Sequence, residues 1–264
     1  MKFYEGCTTL ITGASDGLGA EFARQLAPHV QALVLVARRV DRLEVLRDEL
    51  QGLHPQLTVY IYGADVGNED QRLGLASWLD AGNLKVDFLI NNAGFGDRGA
   101  FEDSDWEKVR GMIDVNITAL THLIHVLLPS MTEGGRAAIL NVSSVASFFP
   151  LPNMAVYGAT KAYVLSFSIA LAAEVADRGI FVSTVCPGPV DTEFAQVASN
   201  GAREKVVDGK SPAAVVAHAL RSIERGRRIA VMAPKWKFKA FMSRFVGRYG
   251  FARHSFIHEK RPSK

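Results

Sequence analysis

Ser144, Tyr157 and Lys161 are the side chains of this 264-residue chain whose types and spacing could move a proton. Tyr157 and Lys161 stand four residues apart, and on a helix that spacing puts them on one face. A free phenol has a pKa of about 10 and is almost fully protonated at neutral pH. A nearby ammonium favours the phenolate and lowers that value. The pair is therefore expected to give and take a proton at a substrate oxygen, with the Ser144 hydroxyl as a third polar group. The Tyr-x-x-x-Lys spacing alone arises easily by chance, so the elements that position it must carry the argument.

Those elements begin near the N-terminus. Cys7–Ile11 is an apolar and β-branched run typical of a buried strand. It leads into Thr12-Gly13-Ala14-Ser15-Asp16-Gly17-Leu18-Gly19 and then a helical run, Ala20–Leu26. Strand, glycine turn and helix in that order form the setting in which such a loop binds pyrophosphate. Glycines let the backbone approach the phosphates, and the helix N-terminus offers unpaired N–H groups and a partial positive charge.

The rest of the chain alternates in the same way. Strands are expected at 7–12, 32–37, 57–63, 86–91, 136–143, 181–186 and 228–232, and helices at 18–27, 40–53, 69–79, 106–128, 155–178 and 212–225. Apolar strands each followed by a helix predict an α/β fold: a doubly wound, seven-stranded parallel sheet with helices on both faces. Ligands in such sheets bind beyond the C-terminal strand ends. The candidate residues Gly13–Gly19, Arg38, Asp65, Asn91–Gly94, Ser144 and Pro187–Thr192 all fall there.

Composition, 48% hydrophobic and 22% charged, is that of a globular chain. Six residues before the first strand are too few for a signal peptide, so a cytoplasmic location is expected. The longest stretch without Asp, Glu, Lys or Arg, 137–160, is broken by serines and prolines and reads as a strand, a loop and a helix start. Cys7 and Cys186 lie in apolar runs and are expected to be buried, reduced thiols. His122 and His125 read as helix-face histidines, and no metal site is expected.

In order and spacing, Thr12–Gly19, Asp65, Asn91-Asn-Ala-Gly94, Asn116, Ser143-Ser144, Tyr157-Gly-Ala-Thr-Lys161 and Pro187-Gly188 followed by Thr192 resemble the short-chain dehydrogenase/reductase family over nearly the whole chain. The resemblance implies that Tyr157 is the general acid/base and that Lys161 lowers its pKa and binds the nicotinamide ribose. It implies that Ser144, thirteen residues before the tyrosine, orients the carbonyl, and that Asn116 anchors a proton-relay water. It makes Asn91 structural, and gives cofactor contacts to Gly13, Ser15, Asp16, Gly17, Leu18, Gly19, Arg38, Arg39, Asp65, Val66, Asn92, Ala93, Gly94, Tyr157, Lys161, Pro187, Gly188, Val190 and Thr192. A homodimer or homotetramer, pairing through the Tyr157 helix and the next one, is also implied.

Sites that hold NAD usually place a carboxylate about 20 residues beyond the glycines, on the ribose 2′-hydroxyl. Here that position reads Ala37-Arg38-Arg39, and guanidinium groups match a 2′-phosphate. NADP(H) is therefore the expected cofactor, although Asp16 departs from the basic residue that some NADP-specific relatives carry. Phe95, Phe148, Phe149, Leu151 and Phe194 suggest a lipophilic carbonyl or alcohol substrate, and 193–210 a mobile lid. The alternative, a cofactor-binding regulatory or scaffold protein, is disfavoured because the tyrosine and lysine are both present.

Residues 1–233 are expected to form the catalytic domain and 234–264 a basic amphipathic extension. Residues 225–264 carry a net charge of +11, against −8 for 1–224. Phe238, Phe241, Met242, Phe245 and Tyr249 recur among Lys235, Lys239, Arg244 and Arg248, a pattern suited to an anionic membrane surface. Nucleic-acid binding is not expected, since the tail carries no recognition fold.

Overall fold

The computed structural model describes residues 3–131, 137–201, 209–243, 245 and 247–258. Its framework is seven parallel strands: β1 (Thr8–Thr12), β2 (Ala32–Ala37), β3 (Thr58–Gly63), β4 (Phe88–Asn91), β5 (Ala137–Val142), β6 (Ile180–Cys186) and β7 (Ile229–Val231). They pair in the order β3-β2-β1-β4-β5-β6-β7. β1 pairs with β2 on one side and β4 on the other, so the winding reverses at the C-terminal end of β1. A crevice must open there, since the connections leaving β1 and β4 pass to different sides.

Both faces of the sheet are covered, because successive strand residues point to opposite sides. Ile11, Leu33, Leu35, Phe88, Ile90 and Leu140 pack beneath α1 (Gly17–Leu26), α2 (Val40–Leu53) and α8 (Pro212–Glu224). Leu10, Val34, Val36, Leu89 and Ile139 pack beneath α3 (Glu69–Ala81), α5 (Leu120–Met131) and α6 (Ala155–Glu174). Each fully buried Leu, Ile or Phe contributes about 1.5–3 kcal/mol of apolar transfer. This two-sided burial explains why the strands read as unbroken apolar runs. Trp106–Met131 and Ala155–Glu174 are long and apolar enough to cross a bilayer, and Leu123, Leu127, Val164 and Leu171 among them pack on the sheet.

The expected helix at 106–128 is interrupted. α4 (Trp106–Ile113) passes into a π-helical segment, Asp114–Ala119, before α5 begins. Such bulges often sit at functional sites, and this one carries Asn116. The helix expected to run to Arg178 stops at Glu174, followed by a 3₁₀ turn and Gly179 at φ +74°. Beyond β6, α7 (Phe194–Ala198) forms the described part of the lid; residues 202–208 lie outside the described residues. The C-terminal extension is two helices, not one: α9 (Pro234–Met242) and α10 (Arg248–His258). Arg244, counted in the basic stripe, and the tail beyond His258 also lie outside the described residues.

Candidate active site

One cleft of about 990 Å³ runs along the C-terminal strand ends, at the upper end of ligand-site sizes. Every cofactor residue expected from the sequence lines it except Gly19, which lies beneath its floor. Ser144, Tyr157 and Lys161 line it too, and Asn116 stands directly behind.

The glycine loop is shaped by contacts that no side chain could share. Gly13 has φ +65°, and a Cβ there would lie 2.9 Å from Ala93 Cα. A Cβ on Gly19 would run into the Gly13 carbonyl oxygen, so the first turn of α1 lies directly on the loop. Thr12 welds the loop to the neighbouring strand: its Oγ1 accepts from Asn92 N at 3.1 Å and Ala93 N at 3.0 Å. Asn92 Nδ2 returns bonds to the carbonyls of Thr12 and Gly13. Thr12 was not singled out in the sequence, although a β-branched hydroxyl at the last strand position before a glycine loop is a readable signal. A bare backbone cradle at a helix N-terminus fits a pyrophosphate.

At the catalytic end, α6 presents Tyr157 and Lys161 inward on one face, both buried. Tyr157 shares a hydrogen bond with the Ser144 side chain. Lys161 Nζ lies 5.9 Å from the Tyr157 ring centre and donates to the Val142 carbonyl at 2.9 Å. Ser143 points away, its Oγ donating to the Lys161 carbonyl at 2.8 Å, which leaves Ser144 as the cleft-facing hydroxyl. Gly94 permits the approach from the other side, since a Cβ there would lie 2.9 Å from Asn116 Oδ1 and 3.3 Å from Lys161 Nζ.

The electrostatics differ from the expectation. Burial pushes the Tyr157 phenol up to about 12, and the Ser144 hydrogen bond only partly opposes it. Burial likewise pushes the Lys161 ammonium down to about 8. Loss of water dominates at both groups, which are buried in the cleft wall. At neutral pH the phenol is a proton donor. Cys186 lies beneath them as a free, buried thiol, pushed up to about 12 chiefly by burial. Cys7 is a buried thiol outside any disulfide, its Sγ donating to the Phe3 carbonyl at 3.6 Å.

Asn116 braces the wall. Its Oδ1 accepts from Phe95 N at 3.1 Å, while Nδ2 donates to the Phe95 carbonyl at 2.9 Å and to Thr160 Oγ1 at 3.0 Å. Both amide hydrogens are engaged, and only a second lone pair on Oδ1 remains for anything else. Asn91 Nδ2 donates to Asn141 Oδ1, and Asn141 Nδ2 donates to Ser168 Oγ, a buried chain tying β4 and β5 to α6. His122 is tied into the fold through Nδ1, which accepts from Arg72 Nε at 3.0 Å.

At the far end of the cleft, Arg38 Nη1 lies 3.8 Å from Asp65 Oδ2, and Asp65 Oδ1 accepts from Gly67 N. Arg39 turns the Nε–Nη2 edge of its guanidinium to Ser15 Oγ, at 3.3 and 3.2 Å. The opposite end is apolar. Phe95, Phe149, Leu151, Met154 and Phe194 line it, with the Phe194 ring 5.4 Å from that of Tyr157. Trp236 of α9 also lines it, packed so closely on Gly188 that a Cβ there would meet the indole. Sequence reasoning missed Trp236, because nothing local says that a tail residue folds back over the strand ends.

This geometry agrees with the comparisons. The short chain dehydrogenase family profile matches residues 7–203, and the chain belongs to that family. It is 39% identical over 196 residues to a sulfoacetaldehyde reductase of Chromohalobacter salexigens, covering 72% of this chain and 75% of that protein. A short-chain dehydrogenase from Sphingobium yanoikuyae in complex with NADPH superposes with a TM-score of 0.80 at 30% identity, over 98% of this chain and 97% of that one. One from Burkholderia phymatum in complex with NAD reaches a TM-score of 0.82 over 100% and 99%, but at 24% identity it speaks for the fold alone. The protein is an oxidoreductase of this family, acting on a carbonyl or alcohol.

Proposed function

We propose that the protein is an NADP(H)-dependent reductase of a lipophilic ketone, aldehyde or ketoacyl compound. One observation carries the reading: a single cleft joins the Ser15–Arg38–Arg39 cluster at one end to an aromatic pocket at the other, with Tyr157 between. A bound dinucleotide supplies or accepts the hydride. The chain does the rest. Gly13, Ser15–Leu18 and Asn92–Gly94 would hold the dinucleotide's pyrophosphate and ribose by backbone, and Asp65 and Val66 would take the adenine end; all of them line the cleft. Ser144 accepts and donates around the substrate oxygen, and the Tyr157 phenol delivers its proton there. Lys161, charged below about pH 8, steadies the phenolate left behind. Oxidation reverses the transfer and requires the phenol to be ionised first. Asn116 reaches the lysine only through its remaining lone pair, which makes it a brace first and a relay second.

Supporting a pairing of subunits, Tyr163 and Ile169 stand exposed on the outer face of α6. Phe238, Phe241, Phe245 and Tyr249 are exposed among lysines, the form of a peripheral membrane contact for an otherwise cytoplasmic enzyme. Protein ending at Ala233 should then no longer pellet with anionic vesicles.

The decisive experiment follows absorbance of NADPH and, separately, NADH against ketones, aldehydes, β-ketoacyl thioesters, steroids and acidic aldehydes. Turnover is expected with NADPH and a neutral lipophilic carbonyl. Comparable kcat/KM with both cofactors would refute the NADP(H) assignment. Tyr157→Phe should lower kcat by about 10²–10⁴-fold, the usual worth of a general acid, and leave NADPH affinity unchanged.

A further inference from the structure

Glu193 was not among the candidate residues, yet it is the most heavily engaged carboxylate at the cofactor end. Its Oε2 accepts from Arg39 Nη1 at 2.9 Å, and its Oε1 accepts from Arg42 Nη1 at 2.9 Å. It also faces the Asp16 carboxyl of the glycine loop, whose pKa is raised chiefly by burial and which donates to Glu193 when it holds its proton. Glu193 belongs to the lid, whereas Arg39 and Arg42 belong to the start of α2, so the bridge crosses the mouth of the nucleotide site.

Its effect on Arg39 is directional. A guanidinium has two bidentate edges. Glu193 occupies Nη1 and leaves the Nε–Nη2 edge turned towards Ser15 Oγ. That edge and a hydroxyl together suit a phosphate monoester, and a guanidinium already held loses less freedom when the anion arrives. The Glu193 and Asp16 carboxyls would by themselves repel a phosphate, but Arg39 and Arg42 offset them, and Arg38 adds a further positive charge to the cleft.

Neighbouring residues extend the link. A Cβ on Gly17 would lie 3.2 Å from Thr192 Cγ2, so Thr192 rests on the pyrophosphate loop. Phe194 packs on Tyr157. Three consecutive residues thus touch the 2′-phosphate corner, the pyrophosphate loop and the proton donor. We propose that Glu193 is the positioning residue of the 2′-phosphate site: reaching across from the segment after β6, it fixes Arg39 with its Nε–Nη2 edge turned to the phosphate. The proposal rests on the NADP(H) reading given above.

The test is binding by calorimetry of adenosine 2′,5′-bisphosphate and adenosine 5′-monophosphate, neither of which can react. Glu193→Ala should weaken the bisphosphate about tenfold, the worth of one charge-assisted contact, and leave the monophosphate unchanged. Glu193→Gln keeps an acceptor for Nη1 and should restore most of the loss. In wild type the bisphosphate should also slow backbone hydrogen exchange over 192–198, and in Glu193→Ala it should not. Equal or tighter bisphosphate binding by Glu193→Ala overturns the proposal, as does equal weakening of both nucleotides. A wild-type protein with no preference for the bisphosphate removes the cofactor reading and this proposal together. A preference left undiminished by Glu193→Ala removes this proposal alone.

Discussion

The two ends of the cleft are built from different materials. The nucleotide end is backbone: Thr12–Leu18 and Asn92–Gly94 are locked by Thr12 and Asn92 hydrogen bonds and by glycines with no room for a Cβ. The substrate end is side chain: Phe95, Met154 and Phe194 from loops and lid, and Trp236 from a helix beyond the last strand. A backbone wall tolerates almost no change, because a peptide has no rotamers with which to yield. A side-chain wall can be re-cut residue by residue. The family can therefore keep one cofactor grip while changing what it reduces.

The contrast is most exposed to failure at Gly19. Adding one methyl there places a carbon against the Gly13 carbonyl, with Asn92 Nδ2 2.7 Å away. Gly19→Ala should cost at least about 1–3 kcal/mol, the usual range for overpacking a close-packed site, and should abolish dinucleotide binding. Thermal unfolding and nucleotide titration check both. A variant that still bound NADPH normally would show that the loop is not the rigid wall described.

Lys161, at the junction of the two ends, sharpens the comparison because activity and stability should move oppositely. Its folded pKa lies near 8, against 10.5 for an ordinary lysine. Folding therefore expels a proton between those values, and native stability should rise with pH across that window. The penalty is complete below about pH 8 and amounts to about 3 kcal/mol, from which the lost Val142 hydrogen bond subtracts about 1. Lys161→Met should thus be inactive yet more stable at pH 7, by about 2 kcal/mol. Chemical denaturation of both forms from pH 7 to 10 tests it: the rise should vanish in the variant. In wild type, kcat/KM for reduction should fall as pH passes about 8.

The smallest effect is expected at the side-chain wall. Trp236→Ala removes an entire indole, yet it should leave NADPH affinity unchanged and shift the relative kcat/KM of bulky over small carbonyls by about tenfold or less. Loss of cofactor binding instead would show that the tail belongs to the nucleotide grip.

Much of this was legible in the sequence because it depends on local constraint. The Thr12–Gly19 spacing, the apolar strand runs and the Tyr157–Lys161 interval each express something short-range: a required φ, a buried face, one turn of helix. The parallel, doubly wound sheet followed from alternation, whereas its strand order came only from the structure. Less visible was the break in the helix at Asp114–Ala119, since a π-bulge leaves the apolar spacing nearly intact. The tail's apparent single helical stripe proved to be α9 and α10, because spacing does not register a break of a few residues.

By itself the sequence determined the fold, the family and which hydroxyls and ammonium line the cleft, because those follow from patterns a few residues long. Tertiary structure alone decided that burial raises the Tyr157 phenol, that Trp236 lines the pocket, and that Glu193 holds Arg39 across 154 positions of chain. The physical reason is common to all three. Desolvation and long-range contact depend on what surrounds a side chain in space, and residues distant in sequence supply those surroundings.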